Sequence, residues 1–491
     1  MHDAWLSRRR FLQRGAAAVA ATGAWLSAGC RSEAAQQTGT AARRVLLKGG
    51  CVLSLDPKIG DFDVADVLIE GARIADVRPN IVATADVIDA SNTIIMPGFV
   101  DTHRHMWQGA LRSILPDGLL SDYTRDITGT ARAVMRPDDA RVGDLVSALG
   151  AINAGVTTVL DWSHIGNSPA HADACIDALR GTGIRAVYAY SGSAAELRRL
   201  RKAYFSSADQ LLTLAYATGA SPADWAAARD VGASISLHAG GSLDNVAGVM
   251  GPDVTYIHGT TFTAEAWKRI AASGGHLSIA APIEMEMGHG IPPIQAAIDH
   301  GIRPSLSVDV ETQMAGDFFT QMRTVFTLQR MQALALQRQG DTALQRQGDA
   351  ALQRQGDSAL QRQGDTARQR QGDANPPTLL TVREVIEFAT IAGARANRLD
   401  AKIGTLTPGK EADIIMLRTD AINVLPVNNA YGAVVQSMDT SNVDTVFVAG
   451  TIRKRAGQLV GVDVARINRL ARDSRDYIVT KAGWPKTMLR N

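Results

Sequence analysis

From Val100 onward the chain alternates short apolar runs with helical stretches, and most of the runs stop at a small, polar or ionisable residue. In order they read "MPGFVDTHRH", "GVTTVLDWSH", "GIRAVYAYSGS", "LLTLAYATGAS", "ASISLHAGG", "VTYIHGTT", "HLSIAAPIEME" and "IRPSLSVDVET". Eight strand-like runs with helices between them predict an α/β chain, a (β/α)8 TIM barrel over residues 99–400. The 491 residues, 45% of them hydrophobic, are enough for a barrel-sized core and an appended domain.

The appended domain is read from what flanks the barrel. Residues 45–98 hold short β-rich runs separated by turns, "RVLLKGGCVLSLD", "ADVLIEGARIADVRP" and "ADVIDASNTIIMPG", which read as small antiparallel strands. Residues 401–491 return to short strands in "GTLTPGKEADIIML" and "VDTVFVAGTIRKR" before a C-terminal helix. Together they predict one β-sandwich in two parts. A formal charge of +2 gives no reason to expect a nucleic-acid or membrane-surface partner. The 3 cysteines, Cys30, Cys51 and Cys175, make neither a disulfide scaffold nor a metal knuckle, so any metal must be held by histidines and carboxylates.

Residues 1–30 read as an address. "SRRRFLQ" followed by a small, alanine-rich apolar run resembles a twin-arginine export signal, with Arg8 and Arg9 as the pair. The run is too short and alanine-rich for a membrane span. Cys30 closes it in "LSAGC", and two fates stay open: lipid attachment to the outer side of a membrane, or removal with the leader or a free thiol. Residues 31–44 follow as a polar linker. The expectation is an exported protein, whose partner, the twin-arginine machinery, carries chains already folded and metal-loaded.

One segment interrupts the barrel order. Residues 336–375 repeat units such as "LQRQGDTA" with a period of eight. That period turns a helix by about 80° per repeat, so the single Leu of each unit builds no apolar stripe, and each Gly costs about 1 kcal/mol against Ala. A flexible insertion is expected, with a marginal helix as the alternative.

The chemistry is read from run ends. His103 and His105 are two apart and project together from the first run. His238, His258 and Asp309 end later runs. In a barrel those are the C-terminal strand ends, where catalytic groups converge.

Here the chain resembles the amidohydrolase superfamily, in its cytosine deaminase and triazine hydrolase (TRZ/ATZ) branch. The resemblance rests on "MPGFVDTHRH", the two later histidines, the late aspartate and "GTLTPGKEADIIML", and covers nearly everything after the leader. It implies that His103, His105, His238 and Asp309 hold one divalent ion, Zn²⁺ or alternatively Fe²⁺, and that His258 bonds the activated water or the substrate. Such an ion lowers the pKa of bound water from about 16 toward about 7. Asp309 then takes the proton and passes it to the leaving nitrogen. Binuclear relatives carry a carboxylated lysine at the fourth strand; "LLTLAYATGAS" has none and Lys202 falls in a helical stretch, so one metal is expected. Relatives commonly form dimers or larger assemblies, which implies a homo-oligomer.

One departure stands out. Ring deaminases of this branch place a glutamate three residues after the third histidine, and this chain has Gly241 there. Glu284 and His289 are the candidate replacements, with Glu286 beside Glu284 if the strand continues. Gln108 and His164 are expected to line the substrate pocket, Trp107 to pack, and Asp161 to be structural. Asp101 either anchors a histidine ring or caps the turn backbone. The resulting expectation is a hydrolase cleaving a non-peptide carbon–nitrogen bond in a small cyclic or conjugated substrate. Release of chloride or an alkylamine from an s-triazine-type ring is the alternative enzyme. A catalytically inactive extracytoplasmic binding protein on the same fold is the alternative from another class.

Overall fold

In the computed structural model residues 43–207, 209–352 and 378–487 are described, as backbone alone over 339–352. The twin-arginine segment, Cys30, the linker up to residue 42 and the repeats beyond Leu352 lie outside the described residues.

Every one of the eight apolar runs contributes a strand to one sheet. These are β6 (Phe99–Arg104), β7 (Val156–Ser163), β8 (Arg185–Tyr190), β9 (Leu212–Ala217), β10 (Ser234–Gly241), β11 (Val254–Phe262), β12 (His276–Ile279) and β13 (Ser305–Leu306), paired in parallel in chain order. Helices such as Pro137–Asn153 and Pro169–Thr182 cover the outside, as parallel strands buried on both faces require. Inward residues alternate along the strands. Val100, Leu160, Trp162, Val187, Ala189 and Ala215 share the interior cluster, and Ala394, Leu399 and Ile403 join it. The floor is at the strands' N-terminal end, where Thr255 donates to the Ala396 carbonyl.

The last strand is only two residues long, so closure relies on side chains and on backbone bonds beyond the strand. The Thr102 hydroxyl lies 2.7 Å from that of Ser278 and 2.9 Å from that of Ser305. Past the strand, the Asp309 amide donates to the His103 carbonyl at 2.9 Å and the His105 amide to the Asp309 carbonyl at 2.8 Å. The seam therefore closes at the residues expected to hold the metal.

Flanking segments build a second sheet of nine strands. β1 (Arg44–Val52), β2 (Phe62–Glu70), β3 (Arg73–Arg78), β4 (Asp86–Asp89) and β5 (Thr93–Pro97) come before the barrel. β14 (Ile414–Arg418), β15 (Val443–Val448), β16 (Thr451–Arg455) and β17 (Gln458–Leu459) come after it, and β5 pairs with β14 across the two groups. The expected all-antiparallel pairing holds except at β4 and β5, which run parallel to β1. β5 leads directly into β6, which sets its direction. Val45, Leu47, Val67, Ile95, Ile414 and Phe447 give this sheet a core of its own. It meets the barrel base through Arg185, whose guanidinium donates to both Asp413 oxygens at 2.8 and 2.9 Å and to Glu411 at 2.5 Å.

One local expectation is corrected, and one alternative finds support over the described repeats. β12 stops at Ile279, and Ala281–Glu286 is a helix with Pro282 in its first turn, where a missing N–H costs nothing; Glu284 is therefore not at a strand end. The first octapeptide repeats continue a helix, Phe318–Leu352, as in the marginal-helix alternative. That helix buries Phe318, Phe319, Met322 and Val325 ahead of the repeats, and propagation from an anchored segment is less costly than nucleation. Among the described residues no helix is long and apolar enough to cross a membrane.

Candidate active site

His103 lies in β6 and His105 directly follows it, with ring centroids 4.6 Å apart. Arg104 between them points the other way and is fully buried. It donates to Asp101 at 2.8 Å and to Glu311 at 2.7 Å, and Glu311 accepts a second arginine, Arg112, at 2.8 Å. Asp101 also accepts the amides of His103 and Val308 at 3.3 and 3.2 Å. Of the two roles left open by the sequence, it takes the backbone one. It locks the first strand to the segment that carries Asp309.

Around His103 the donor atoms crowd. Its Nε2 is 3.0 Å from Asp309 Oδ1 and 3.2 Å from His238 Nε2, while His105 Nε2 is 3.4 Å from the same Asp309 oxygen. His258 Nε2 lies 3.7 Å from Asp309 Oδ2. Two overlapping sets, His103 with His238 and His258 and His103 with His105 and Asp309, each keep their donor atoms within 4.8 Å. β10 and β11 run on past His238 and His258, to Gly241 and Phe262, so these two sit at the rim rather than at strand ends. His258 and Asp309 have φ of +67° and +66°, left-handed values that cost a non-glycine residue about 1–3 kcal/mol and concentrate at functional sites.

The donors fit a divalent ion. Burial first, and neighbouring imidazoles second, hold His103 and His105 well below the ordinary histidine range, which leaves neutral rings with lone pairs to offer. His105 Nδ1 lies 2.8 Å from the Trp162 carbonyl, a contact that places the proton there and frees Nε2. His103 Nδ1 is buried without a partner. Nitrogen donors with one carboxylate suit Zn²⁺.

His258 behaves differently. Burial opposes a charge on its ring but is outweighed by a 3.1 Å hydrogen bond to Glu284 and by the charge of Asp309, so its pKa is raised. Glu284 is fully buried behind that ring and also accepts the Ala280 amide at 2.9 Å. Expected as the substitute proton donor, Glu284 turns its carboxylate to the Nδ1 side of the His258 ring in this structure. Glu286 is exposed on the same short helix.

The expected pocket residues do gather here. Gln108 is buried, donates to Tyr123 at 2.5 Å and keeps an unpartnered carbonyl oxygen. His164 accepts the Trp107 indole N–H at 3.1 Å and packs 4.2 Å from His105. His289 packs 4.6 Å from His258, and its Nε2 has no partner. Gly241 has φ +71°, a conformation that disfavours any residue with a Cβ, so the backbone there is not shaped for the absent glutamate.

Two features were not singled out from the sequence. A cavity of about 500 Å³ adjoins His238, lined by Trp162, Tyr216, Thr218 and Asp224 among others. Trp162 packs 4.4 Å from His238, between the imidazole set and that cavity. Period-two alternation in "VLDWSH" puts Leu160, Trp162 and His164 on one face and would have indicated it.

A parallel barrel with imidazoles and a carboxylate gathered at the C-terminal rim places the molecule among the metal-dependent barrel hydrolases. A model of the amidohydrolase family matches residues 94–453, and the chain belongs to that family. It is therefore a hydrolase acting on carbon–nitrogen bonds in small molecules. It is 21% identical over 461 residues to a 5-methylthioadenosine/S-adenosylhomocysteine deaminase of Pyrococcus abyssi, covering 86% of this chain and 96% of that one. An adenosine deaminase from Xanthomonas campestris with bound zinc superposes with a TM-score of 0.72 at 20% identity, over 89% of this chain and 98% of that one. An atrazine chlorohydrolase from Arthrobacter aurescens TC1 in complex with zinc gives 0.68 at 19%, over 88% and 100%.

Proposed function

We propose that the chain is a mononuclear hydrolase that removes an amino group from an electron-poor ring carbon of a small heterocycle, in the branch shared by nucleoside deaminases and triazine hydrolases. The convergence of His103, His105, His238 and Asp309 carries this reading. Those four residues would hold one divalent ion, zinc in this reading and iron(II) as the alternative, which when bound supplies Lewis-acid activation of water. Asp309 is the base, taking a proton from water and returning it to the leaving nitrogen. His258 offers its Nε2 to the substrate and is held by Glu284 at Nδ1. Gln108, His164 and His289 line the approach, the last two presenting rings next to His105 and His258.

Release of chloride or an alkylamine from a triazine-type ring is the second reading, supported by the chlorohydrolase likeness and by Gly241 in place of the branch glutamate. Export through the twin-arginine machinery, with Cys30 lipidated, removed with the leader or left as a free thiol, and homo-oligomerisation complete the proposal.

The test is metal stoichiometry on leaderless protein, wild type beside His238→Ala, with hydrolysis of aminated and chlorinated heterocycles measured on the same samples. One ion per chain, lost together with turnover in the variant, is expected, and the active substrate names the leaving group. A wild type that stays metal-free after reconstitution sinks the mechanism.

A further inference from the structure

Between the first pair of histidines and the helix Pro137–Asn153 the chain crosses the rim as a helical stretch, residues 120–134. Tyr123 and Arg132 stand nine residues apart in it. That spacing is about two and a half turns of an α-helix and would put the two side chains on opposite faces. The wider π-turns of Tyr123–Ala131, which end with the Arg132 amide donating to the Ile127 carbonyl five residues back, bring them to one side. Both reach the site. The Tyr123 ring lies 6.5 Å from that of His105, and Arg132 Nη1 donates to the His164 carbonyl at 3.3 Å.

Arg132 is half-buried and its charge is not balanced. Arg104 behind the ligands and Arg185 at the base each meet two carboxylates. Among the described residues no carboxylate pairs with Arg132, and Asp122 and Asp126 of its own stretch both go to Arg125. Nε and Nη2 keep one edge of the guanidinium fork free, and that edge matches a carboxylate with two parallel hydrogen bonds. The Tyr123 hydroxyl adds a donor. It accepts from Gln108 at 2.5 Å, and no described group takes its own hydrogen, which burial first and the charge of Asp309 second keep on the phenol by raising its pKa. Asp224 lines the cavity next to Trp162, and Arg132 is not part of that lining, so the two charges do not face the same part of a ligand.

We propose that Arg132, together with the Tyr123 hydroxyl, receives a carboxylate borne by the substrate's reacting ring, so that the preferred substrates are aminated heterocyclic acids. The anion belongs on the ring itself and not on a long arm, because a single residue, His164, separates the guanidinium from His105, whose ring it packs against at 4.2 Å. This rests on the ring-hydrolysis reading of the same site. Arg132 is a specificity residue here and takes no part in holding metal.

Calorimetric titration of the metal-loaded full chain tests it with aminated pyrimidines, pyridines and triazines, each as the plain ring, its carboxylate and its carboxamide. The proteins are wild type, Arg132→Gln and Arg132→Lys. Carboxylate and carboxamide match in shape and differ in charge, so their comparison on wild type needs no variant to fold. Hydrogen bonds to a charged group set the scale: at least one carboxylate should bind wild type about tenfold or more tighter than both its amide and its plain ring. Arg132→Gln should remove most of that advantage at unchanged metal content. Arg132→Lys, a point charge in place of the fork, should lose part of it and serves where the glutamine variant does not fold. A panel in which no carboxylate outbinds its own amide overturns the proposal, as does absence of binding by every probe. An advantage undiminished in the variants overturns it too, since the carboxylate is then held by the metal and not by the guanidinium. Turnover of plain rings with no preference for the acids leaves the ring-hydrolysis reading standing without this site. The acid preference without turnover of any aminated ring upholds the site and removes that reading instead.

Discussion

Arg185 at the base of the barrel and His103 at its rim are both almost wholly removed from water, and their surroundings could hardly differ more. Arg185 meets two carboxylates in good hydrogen-bonding geometry, and Asp413 in turn accepts the Ala449 amide at 2.8 Å. His103 faces other lone pairs at 3.0 and 3.2 Å and keeps a second nitrogen with no partner. The base is closed chemistry, in which each charge is cancelled where it stands. The rim is convergent chemistry, in which buried lone pairs are turned toward one another, and the left-handed backbone at His258 and Asp309 adds strain to it. Base and rim should therefore answer to different experiments.

The largest effect is expected at the rim. Removing one ligand with His238→Ala should abolish stoichiometric metal and lower turnover about 1000-fold or more, the equivalent of about 4 kcal/mol of transition-state stabilisation. The metal-free fold should be left as stable as metal-free wild type or slightly more so. Elemental analysis, kinetics and chemical denaturation of the same preparations decide it; a variant that keeps its metal breaks the comparison at the rim. At the base the pattern inverts. Arg185→Ala leaves Asp413 buried without its cation and Glu411 with Lys402 alone, 3.5 Å away, and should cost about 3–5 kcal/mol of unfolding free energy, with metal content and KM of the surviving protein unchanged. A marginal loss there would mean that water reaches the junction.

Glu284→Gln probes the border between the two kinds of chemistry, since it keeps the shape and the Ala280 contact but removes the charge facing His258. Losing a partner that orients a ring beside the metal set should lower kcat about 10- to 100-fold, with metal retained. Unchanged kcat would return Glu284 to a purely structural role. That residue also marks where sequence reading ran out. Eight parallel strands, the convergence of His103, His105, His238 and Asp309 and the return of the C-terminal strands to the first sheet are legible because each rests on local pattern: apolar runs, a two-residue spacing, a polar residue at a run's end. The short helix after Ile279 is not, because "HLSIAAPIEME" is as apolar as a strand and only the proline marks the change. Nor are the ion pairs legible. Arg104 with Glu311 and Arg185 with Asp413 are separated by 207 and 228 residues, and nothing near either arginine says which acid it will meet. The cavity at Asp224 falls in the same class, since it exists only once four strand ends have been brought together.

The smallest effect is expected between rim and base, on the outer face of β7. There Asp161 and Asp144 face each other in an apolar layer near Cys175, with Asp161 also accepting the Met106 amide at 3.3 Å. Burial pushes Asp161 up to about 7, and burial together with the neighbouring carboxylate pushes Asp144 well above the usual range. Both acids release their protons near pH 4 in the unfolded chain, so above that the native state holds more protons than the unfolded one. Stability must then fall as pH rises, until about 7 for Asp161 and beyond it for Asp144. Asp144→Asn keeps a donor toward Asp161 and removes one of the two protons from this linkage. Between pH 5 and 8 its stability should fall less steeply than that of the parent by about 1 kcal/mol per unit, about 2 °C in Tm. Both proteins are best compared on the His238→Ala background, where metal uptake does not enter the pH dependence. Parallel melting curves across that range would show that the two acids ionise as freely inside the protein as outside it, and that the layer behind the histidines is wet.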